Sequence, residues 1–197
     1  MDKRIRIGLV GDFDEKIDTL VKLNEAIAHC RSQLNFSLEA VWVPTETIDN
    51  FFLEQHTFQG FWVTPGSPYK KDDGVYELIR WSRENNFPIL GTCGGFQYMV
   101  VEYARNVLGF SSGGHQESEP LAEQLLVSKL SCSLRGQQEE IAISDPQSWL
   151  YKVLKTNKII GHFNCSYGVN LYIRMCSINT RWSLLLSLRQ ANLARLN

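Results

Sequence analysis

One cysteine stands in a turn of small residues, Gly91-Thr92-Cys93-Gly94-Gly95. This spacing is that of a nucleophile elbow, in which a sharp strand-to-helix turn lifts a reactive side chain out of a sheet. The helix after such a turn points its N-terminus at the sulfur and favours the thiolate, and the backbone N–H of Gly94 is free to donate to an oxyanion. The pattern therefore predicts a cysteine nucleophile. The alternative is a glycine-rich turn that carries a small, buried cysteine.

A second loop of small residues has the sequence Thr-Pro-Gly-Ser-Pro and occupies residues 64–68. Gly66 or Ser67 in this loop can supply a second N–H to an oxyanion, although the loop alone is also compatible with a simple tight turn. In parallel sheets ligands lie beyond the carboxyl ends of the strands. Because both loops follow predicted strands, we expect them to share one site.

The elements that position these loops alternate between strands and helices. Short strands that are apolar on both sides are predicted at 5–10, 38–43, 60–63 and 88–90, and helices at 18–30, 45–52, 73–87 and 96–108. Asp73 is the expected cap of the third helix. This alternation predicts an α/β fold with a mostly parallel central sheet flanked by helices. Further strands at 124–134, 139–143 and 158–168 predict a smaller antiparallel element after residue 120.

The composition argues against several classes of protein. The 197 residues carry 20 basic and 21 acidic side chains, a net charge of −1, which argues against a nucleic-acid partner held through phosphates. No apolar run approaches the roughly 20 residues of a membrane-spanning helix or resembles a signal peptide. We therefore expect a cytoplasmic location, no membrane partner and free thiols for the five cysteines. Neither zinc-ligand spacing nor a phosphate-binding glycine loop occurs, so no metal and no cofactor are expected.

Several segments together resemble the class I glutamine amidotransferases, and within them the glutaminase domains of CTP synthases. Residues 93–97, Cys-Gly-Gly-Phe-Gln, resemble the family's C-x-G-x-Q, and residues 65–67, Pro-Gly-Ser, resemble its P-G-G. Four further segments resemble the CTP synthase type: residues 83–88, 102–106, 115–120 and 164–170.

This resemblance implies a flavodoxin-like fold and a role for each matching residue. Cys93 is the nucleophile that forms a γ-glutamyl thioester, while Gly94 and Gly66 donate to the oxyanion. Glu117 binds the α-ammonium group of glutamine or of a related small amide. The other implied substrate-binding residues are Gln97, Ser67, Ser166 and Tyr167. Since the family has an arginine where this chain has Ser166, the charged clamp on the substrate's α-carboxylate is missing here.

The family's general base has no counterpart in this sequence. A histidine must deprotonate the cysteine and a glutamate must orient that histidine, and the family carries both in a His-Pro-Glu motif late in the domain. None of the four histidines in this chain is followed by Pro-Glu, and no Asp or Glu follows Asp145. His115 is the candidate substitute base, provided that its loop folds over Cys93.

The composition changes after residue 170, where the resemblance ends. Residues 171–197 contain four arginines and no other charged residue, with seven leucines and no Gly or Pro. We therefore predict an amidotransferase-like domain at 1–170 and an atypical basic tail at 171–197. A frame-altered or truncated ending and a genuine divergent ending are both open. The tail residues, Leu188 among them, are expected to form either an amphipathic helix or an extension over the sheet.

Three functions remain open at this point. The first is a glutamine amidotransferase-like protein that hydrolyses glutamine in a CTP synthase-like context and passes ammonia to a synthetase partner. The second is an inactive homologue that keeps a ligand-binding or regulatory role. The third is a different cysteine hydrolase that acts on another amide. The sequence does not indicate an oligomeric state.

Overall fold

A computed structural model describes residues 4–143, 145–170 and 188–189. We number its strands and helices in chain order. They are β1 Arg4–Val10, α1 Asp18–Gln33, β2 Ser37–Val43, a 3-10 helix Thr45–Thr47, α2 Asn50–Gln55, β3 Gly60–Val63, α3 Asp72–Glu84, β4 Ile89–Gly91, α4 Gly94–Asn106, β5 Gly113–His115, β6 Gln124–Lys129, β7 Gln137–Ile143, α5 Trp149–Leu154, β8 Lys158–Phe163, β9 Tyr167–Val169 and β10 Leu188–Arg189.

The first four strands form one parallel sheet in the order β2-β1-β3-β4. Successive residues of β1 are buried on opposite faces: Leu9 belongs to one cluster with Leu23 of α1, whereas Val10 belongs to another with Leu78 of α3. Because helices cover both faces, these strands read as continuous apolar runs rather than as alternating ones. The predicted α/β fold with a parallel central sheet flanked by helices is confirmed.

The later strands build two smaller sheets. One has the order β5-β6-β9, with β6 antiparallel to β9, and the other has the order β10-β7-β8 and is antiparallel throughout. The predicted antiparallel element after residue 120 is therefore present. The single strand expected at 158–168 is divided, because residues 164–166 form a turn. In this turn, the carbonyl oxygens of Ser166 and Cys165 accept from Leu130 N–H and Leu134 N–H of the neighbouring loop.

Two helix starts differ from the predictions. Helix α4 begins at Gly94, directly after the cysteine, and ten of its thirteen residues are buried. Helix α3 has Lys71 at its N-cap with no side-chain cap bond, so the predicted cap at Asp73 is wrong. The carboxylate of the neighbouring Asp72 bonds to two tyrosines: its Oδ1 accepts from Tyr69 N–H at 3.0 Å and from the Tyr98 hydroxyl at 2.7 Å.

Of the predicted tail, only residues 188–189 are among the described residues. They form β10, which pairs with Ile143 and Ala142 of β7, so the helix expected to include Leu188 is not formed there. The rest of 171–197 lies outside the described residues, and the two predicted chain segments stay a prediction. No helix in the described part of the chain has both the length and the apolar character to cross a bilayer.

Candidate active site

Cys93 occupies a strained turn between β4 and α4. Its backbone angles are φ 51° and ψ −116°, a left-handed φ that costs a non-glycine residue on the order of 1–3 kcal/mol. The turn is held by its neighbour Thr92, whose N–H donates to Val63 O at 3.2 Å and whose Oγ1 accepts from Trp62 Nε1 at 2.9 Å. The side chain of Cys93 is exposed. A strained, exposed cysteine at a strand-to-helix turn is the geometry of a nucleophile elbow.

The two glycines after Cys93 are needed because other backbone comes very close. A Cβ added at Gly95 would lie 2.1 Å from the carbonyl oxygen of Val63. A Cβ added at Gly94 would lie 2.5 Å from Oγ and 3.1 Å from the backbone N of Ser67. The loop at residues 64–68 therefore packs directly against the elbow, as expected. Gly66 adopts φ +107° in that loop, which favours glycine.

A second cysteine lies at the sulfur of Cys93. Sγ of Cys165, in the turn between β8 and β9, is 3.4 Å from Sγ of Cys93. A hydrogen bond from Cys165 lowers the pKa of Cys93 to about 7. Partial desolvation of the thiol opposes this shift, and the backbone N–H of Gly94 adds to it. The pKa of Cys165 is raised, first by the same hydrogen bond and then by burial. When the pair loses one proton, these shifts favour the thiolate on Cys93 and the remaining proton on Cys165.

Sequence reasoning missed Cys165 as a site residue. The signal that was available is its place in the segment 164–170, which resembles the family on either side of it. Contacts of the backbone now explain its position, since the carbonyl of Cys165 accepts from Leu134 N–H at 3.0 Å.

An acidic side chain borders the same site. Oε2 of Glu117 accepts from the hydroxyl of Ser67 at 3.1 Å. Burial raises the pKa of Glu117, and the Ser67 hydrogen bond and the charge of Arg135 oppose that rise. Arg135 likewise opposes the rise in the pKa of Cys165, so an exposed guanidinium lies within electrostatic range of both groups.

His115 is fully buried and takes part in a chain of hydrogen bonds that does not include Cys93. Its Nδ1 accepts from Glu117 N–H at 3.1 Å, and its Nε2 lies 2.9 Å from Oε1 of Gln97. Nε2 of Gln97 in turn donates to the carbonyl oxygen of Tyr167 at 3.0 Å. Burial lowers the pKa of His115 to about 4, which keeps the ring neutral. These hydrogen bonds connect α4 to the end of β5, to the loop after it and to β9.

The remaining expected site residues lie at the edge of the site. The hydroxyl of Ser166 is 3.3 Å from that of Ser133, and the ring of Tyr167 packs on that of His115 with centroids 5.5 Å apart. His162 is exposed on β8, opposite Gln138. Over residues 4–143 and 145–170, no histidine is hydrogen bonded to Cys93. In the same ranges, no group of three or more His, Cys, Asp or Glu could hold a metal ion.

Comparisons with known proteins identify the family and agree with the fold. The family model of class I glutamine amidotransferases matches residues 16–164, and the chain belongs to this family. The CTP synthase of Sulfurisphaera tokodaii is 29% identical over 181 residues, which are 86% of this chain and 34% of that protein. The CTP synthase of Clostridium acetobutylicum is 36% identical over 118 residues, 59% of this chain and 22% of that protein.

A solved structure matches in fold. The glutaminase domain of Trypanosoma brucei CTP synthase, with bound acivicin, superposes with a TM-score of 0.72 at 24% identity and covers 85% of this chain and 69% of that domain chain. The chain, a class I glutamine amidotransferase domain, is thus similar to the glutaminase domains of CTP synthases, and it spans about a third of the length of the Sulfurisphaera protein.

Proposed function

We propose that this chain binds L-glutamine and that the thiolate of Cys93 attacks the carbon of the side-chain amide. The observation that carries the proposal is a thiol with a pKa of about 7 in a strained elbow. Attack turns the amide oxygen into an oxyanion. The N–H groups of Gly94, Gly66 and Ser67 are proposed to stabilise it, since the loop at 64–68 meets the elbow where Ser67 contacts Gly94.

The α-amino end of glutamine is proposed to lie against Glu117 and Ser67. Glu117 is half-buried and hydrogen bonded to Ser67, and the backbone N of Ser67 lies close to Gly94. A carboxylate in this place supplies an ion pair to the α-ammonium group next to the reacting thiol. Ser166 and Tyr167 are proposed to line the other end of the substrate.

Arg135 is proposed to bind the α-carboxylate in place of the missing family arginine. The loop that carries Arg135 is tied to the turn at 164–166 through the Leu134 N–H bond to Cys165 O and the Ser133–Ser166 contact. Arg135→Ala should raise KM or the dissociation constant for L-glutamine by about 10-fold to 100-fold, as expected for a charged hydrogen bond. Arg31→Ala, in the last turn of α1, is the matched control and should leave the affinity unchanged.

Turnover is proposed to be slow because the described residues bring no histidine to Cys93. Loss of a general base costs roughly 10²-fold to 10⁴-fold in rate. The lowered pKa of Cys93 supports the first step, since it raises the fraction of the thiol that is ionised at neutral pH. The second step needs an activated water, so the γ-glutamyl thioester should accumulate. A cytoplasmic location, where thiols stay reduced, is part of this proposal.

Ammonia transfer to a synthetase partner is the wider proposal. It rests on the curated relatives, which are named CTP synthases and of which this chain matches about a third or less. A ligand-binding or regulatory role without turnover is the second candidate function. It is favoured by one observation, the engagement of both ring nitrogens of His115 by other groups.

Two measurements on the purified chain separate these functions. Ammonia release from L-glutamine is followed in the chain and in Cys93→Ser, and binding of L-glutamine is followed by calorimetry in both. The proposal expects binding by both forms, with a slow ammonia signal or a thioester adduct only where Cys93 is present. Binding without adduct or ammonia supports the regulatory role, and the absence of binding overturns both.

A further inference from the structure

The thiol pair at the elbow suggests chemistry that glutamine hydrolysis does not use. Sγ of Cys93 and Sγ of Cys165 lie 3.4 Å apart, on two turns that are 72 residues apart in the sequence. Among the described cysteines, no other pair has its sulfurs within hydrogen-bonding distance. We propose that these two residues are a peroxide-oxidisable site that closes into an intramolecular Cys93–Cys165 disulfide.

Three features of the site favour oxidation at Cys93. Its side chain is exposed, so a small oxidant can reach it. The thiol of Cys165 and the N–H of Gly94 both stabilise its thiolate, which is the form that reacts with peroxide. Sγ of Cys165 lies 3.4 Å from Sγ of Cys93, which is the arrangement of a resolving cysteine.

The reaction balances with hydrogen peroxide as the oxidant. The Cys93 thiolate attacks one peroxide oxygen, the O–O bond breaks, and the products are the Cys93 sulfenic acid and hydroxide. Sγ of Cys165 then attacks Sγ of Cys93, its proton leaves with the sulfenic hydroxyl as water, and the S–S bond forms. The two cysteines have together been oxidised by two electrons, and one peroxide has been reduced to one water and one hydroxide, which takes up the proton that the Cys93 thiol had released to solvent and becomes the second water.

Closing the disulfide requires only a small movement of the two turns. A disulfide needs them at about 2 Å, so the turn at 164–166 must move inward by a little over 1 Å. That turn connects two short strands, and Asn164 reaches α1 only through an exposed 3.4 Å contact with Thr19. The resulting bond removes the nucleophile from the site and ties the β8–β9 turn to the elbow. Reduction by a dithiol restores both thiols.

The test is oxidation of the purified, reduced chain with a small excess of hydrogen peroxide. Mass spectrometry of the alkylated digest should then show one peptide pair joined through Cys93 and Cys165, lighter by two hydrogens, about 2 Da, than the two free peptides together. Iodoacetamide labelling of Cys93 should fall at least tenfold in the oxidised form and return after treatment with dithiothreitol.

Variants make the assignment specific. In Cys165→Ser the linked pair should disappear and dimedone should trap the sulfenic acid of Cys93. Cys132→Ser is the matched control, because Cys132 is exposed and lies in the loop bonded to the turn at 164–166, and it should still form the Cys93–Cys165 link.

A link from Cys93 or Cys165 to another cysteine, or irreversible oxidation of Cys93 with no link in the wild-type chain, would overturn the proposal. The inference does not rest on glutamine turnover. It stands or fails on the linked peptide alone, whatever the ammonia assay shows.

Discussion

Nε2 of His115 lies 2.9 Å from the side-chain oxygen of Gln97, and its other ring nitrogen accepts from the backbone of Glu117. Since Nδ1 is an acceptor, the neutral ring carries its proton on Nε2 and donates to Gln97. Gln97 then has its amide NH₂ free to donate to Tyr167 O. This orientation makes His115 a positioning residue for the wall of the site rather than the base at the sulfur.

The first prediction concerns His115→Ala. The substitution leaves the oxygen of Gln97 and the N–H of Glu117 without their partner and should destabilise the fold by about 1–3 kcal/mol in urea denaturation. The midpoint of the pH profile of Cys93 alkylation should stay unchanged, because neither ring nitrogen contacts the sulfur. A rise of that midpoint in a variant that is still folded would instead support His115 as the substitute base.

The second prediction concerns the pH dependence of Cys93. Its alkylation by iodoacetamide, followed site by site with mass spectrometry, should reach half its maximal rate at a pH of about 7. In Cys165→Ala the hydrogen bond that stabilises the thiolate is lost, so the midpoint should move up towards about 8.5, the value of an ordinary thiol. Cys132→Ala serves as the control and should keep the wild-type midpoint. An unchanged midpoint in Cys165→Ala would contradict the role given to the thiol pair.

The third prediction contrasts the two glycines of the elbow. Gly95→Ala places a Cβ 2.1 Å from the backbone of Val63 and should cost about 3 kcal/mol or more. Gly94→Ala meets the Ser67 side chain and should disturb the oxyanion N–H groups more than the fold. Its reaction with a glutamine-like electrophile should therefore fall while its alkylation by iodoacetamide persists.

Gly109→Ala is the control for this series. Gly109 has φ +83°, and an added Cβ would meet nothing within 4 Å. Only backbone strain is expected there, and site labelling should remain as in the wild-type chain. Equal loss of stability in Gly95→Ala and Gly109→Ala, by urea denaturation, would show that the close approach to Val63 is not the decisive feature.

The fourth prediction concerns the contact between α3 and α4. Glu102 is 1% exposed and accepts from Arg83 Nη2 at 2.8 Å and from Asn106 Nδ2 at 3.0 Å. Arg83→Ala leaves a buried carboxylate without its cation and should cost about 3–5 kcal/mol. Lys158→Ala breaks the pair with Glu140, both of whose side chains are more than half exposed, and should change the urea midpoint little. Comparable losses in the two variants would contradict the importance of burial.

Much of the fold could be predicted from the sequence because its signals are local. The strand at 60–63 was predicted with its observed bounds, and the elbow was found from the spacing of three glycines around Cys93. Arg83 and Glu102 stand in two segments recognised by resemblance, and their ion pair joins α3 to α4.

What the sequence could not show depends on contacts between distant segments. Cys165 is a lone cysteine in the sequence, and the packing of β9 on α4 brings the turn before β9 to Cys93. His115 was a candidate base only if its loop folded over Cys93, and its ring instead hydrogen bonds to Gln97 and to the backbone of Glu117. Its partners follow from the packing of β5 on α4. Asp73 is not the cap because α3 begins one residue earlier, at Asp72, which places Asp73 inside the first turn.

The central claim is that Cys93 is a nucleophile in a glutamine site, and covalent labelling tests it most directly. The folded chain is incubated with the diazoketone analogue of glutamine at neutral pH, and the adduct is mapped by mass spectrometry. We predict a single adduct on Cys93 that excess L-glutamine suppresses and excess D-glutamine does not. Acivicin, which is bound in the Trypanosoma brucei domain, is the second probe. Normal alkylation of Cys93 by iodoacetamide without any adduct from either analogue would contradict the claim.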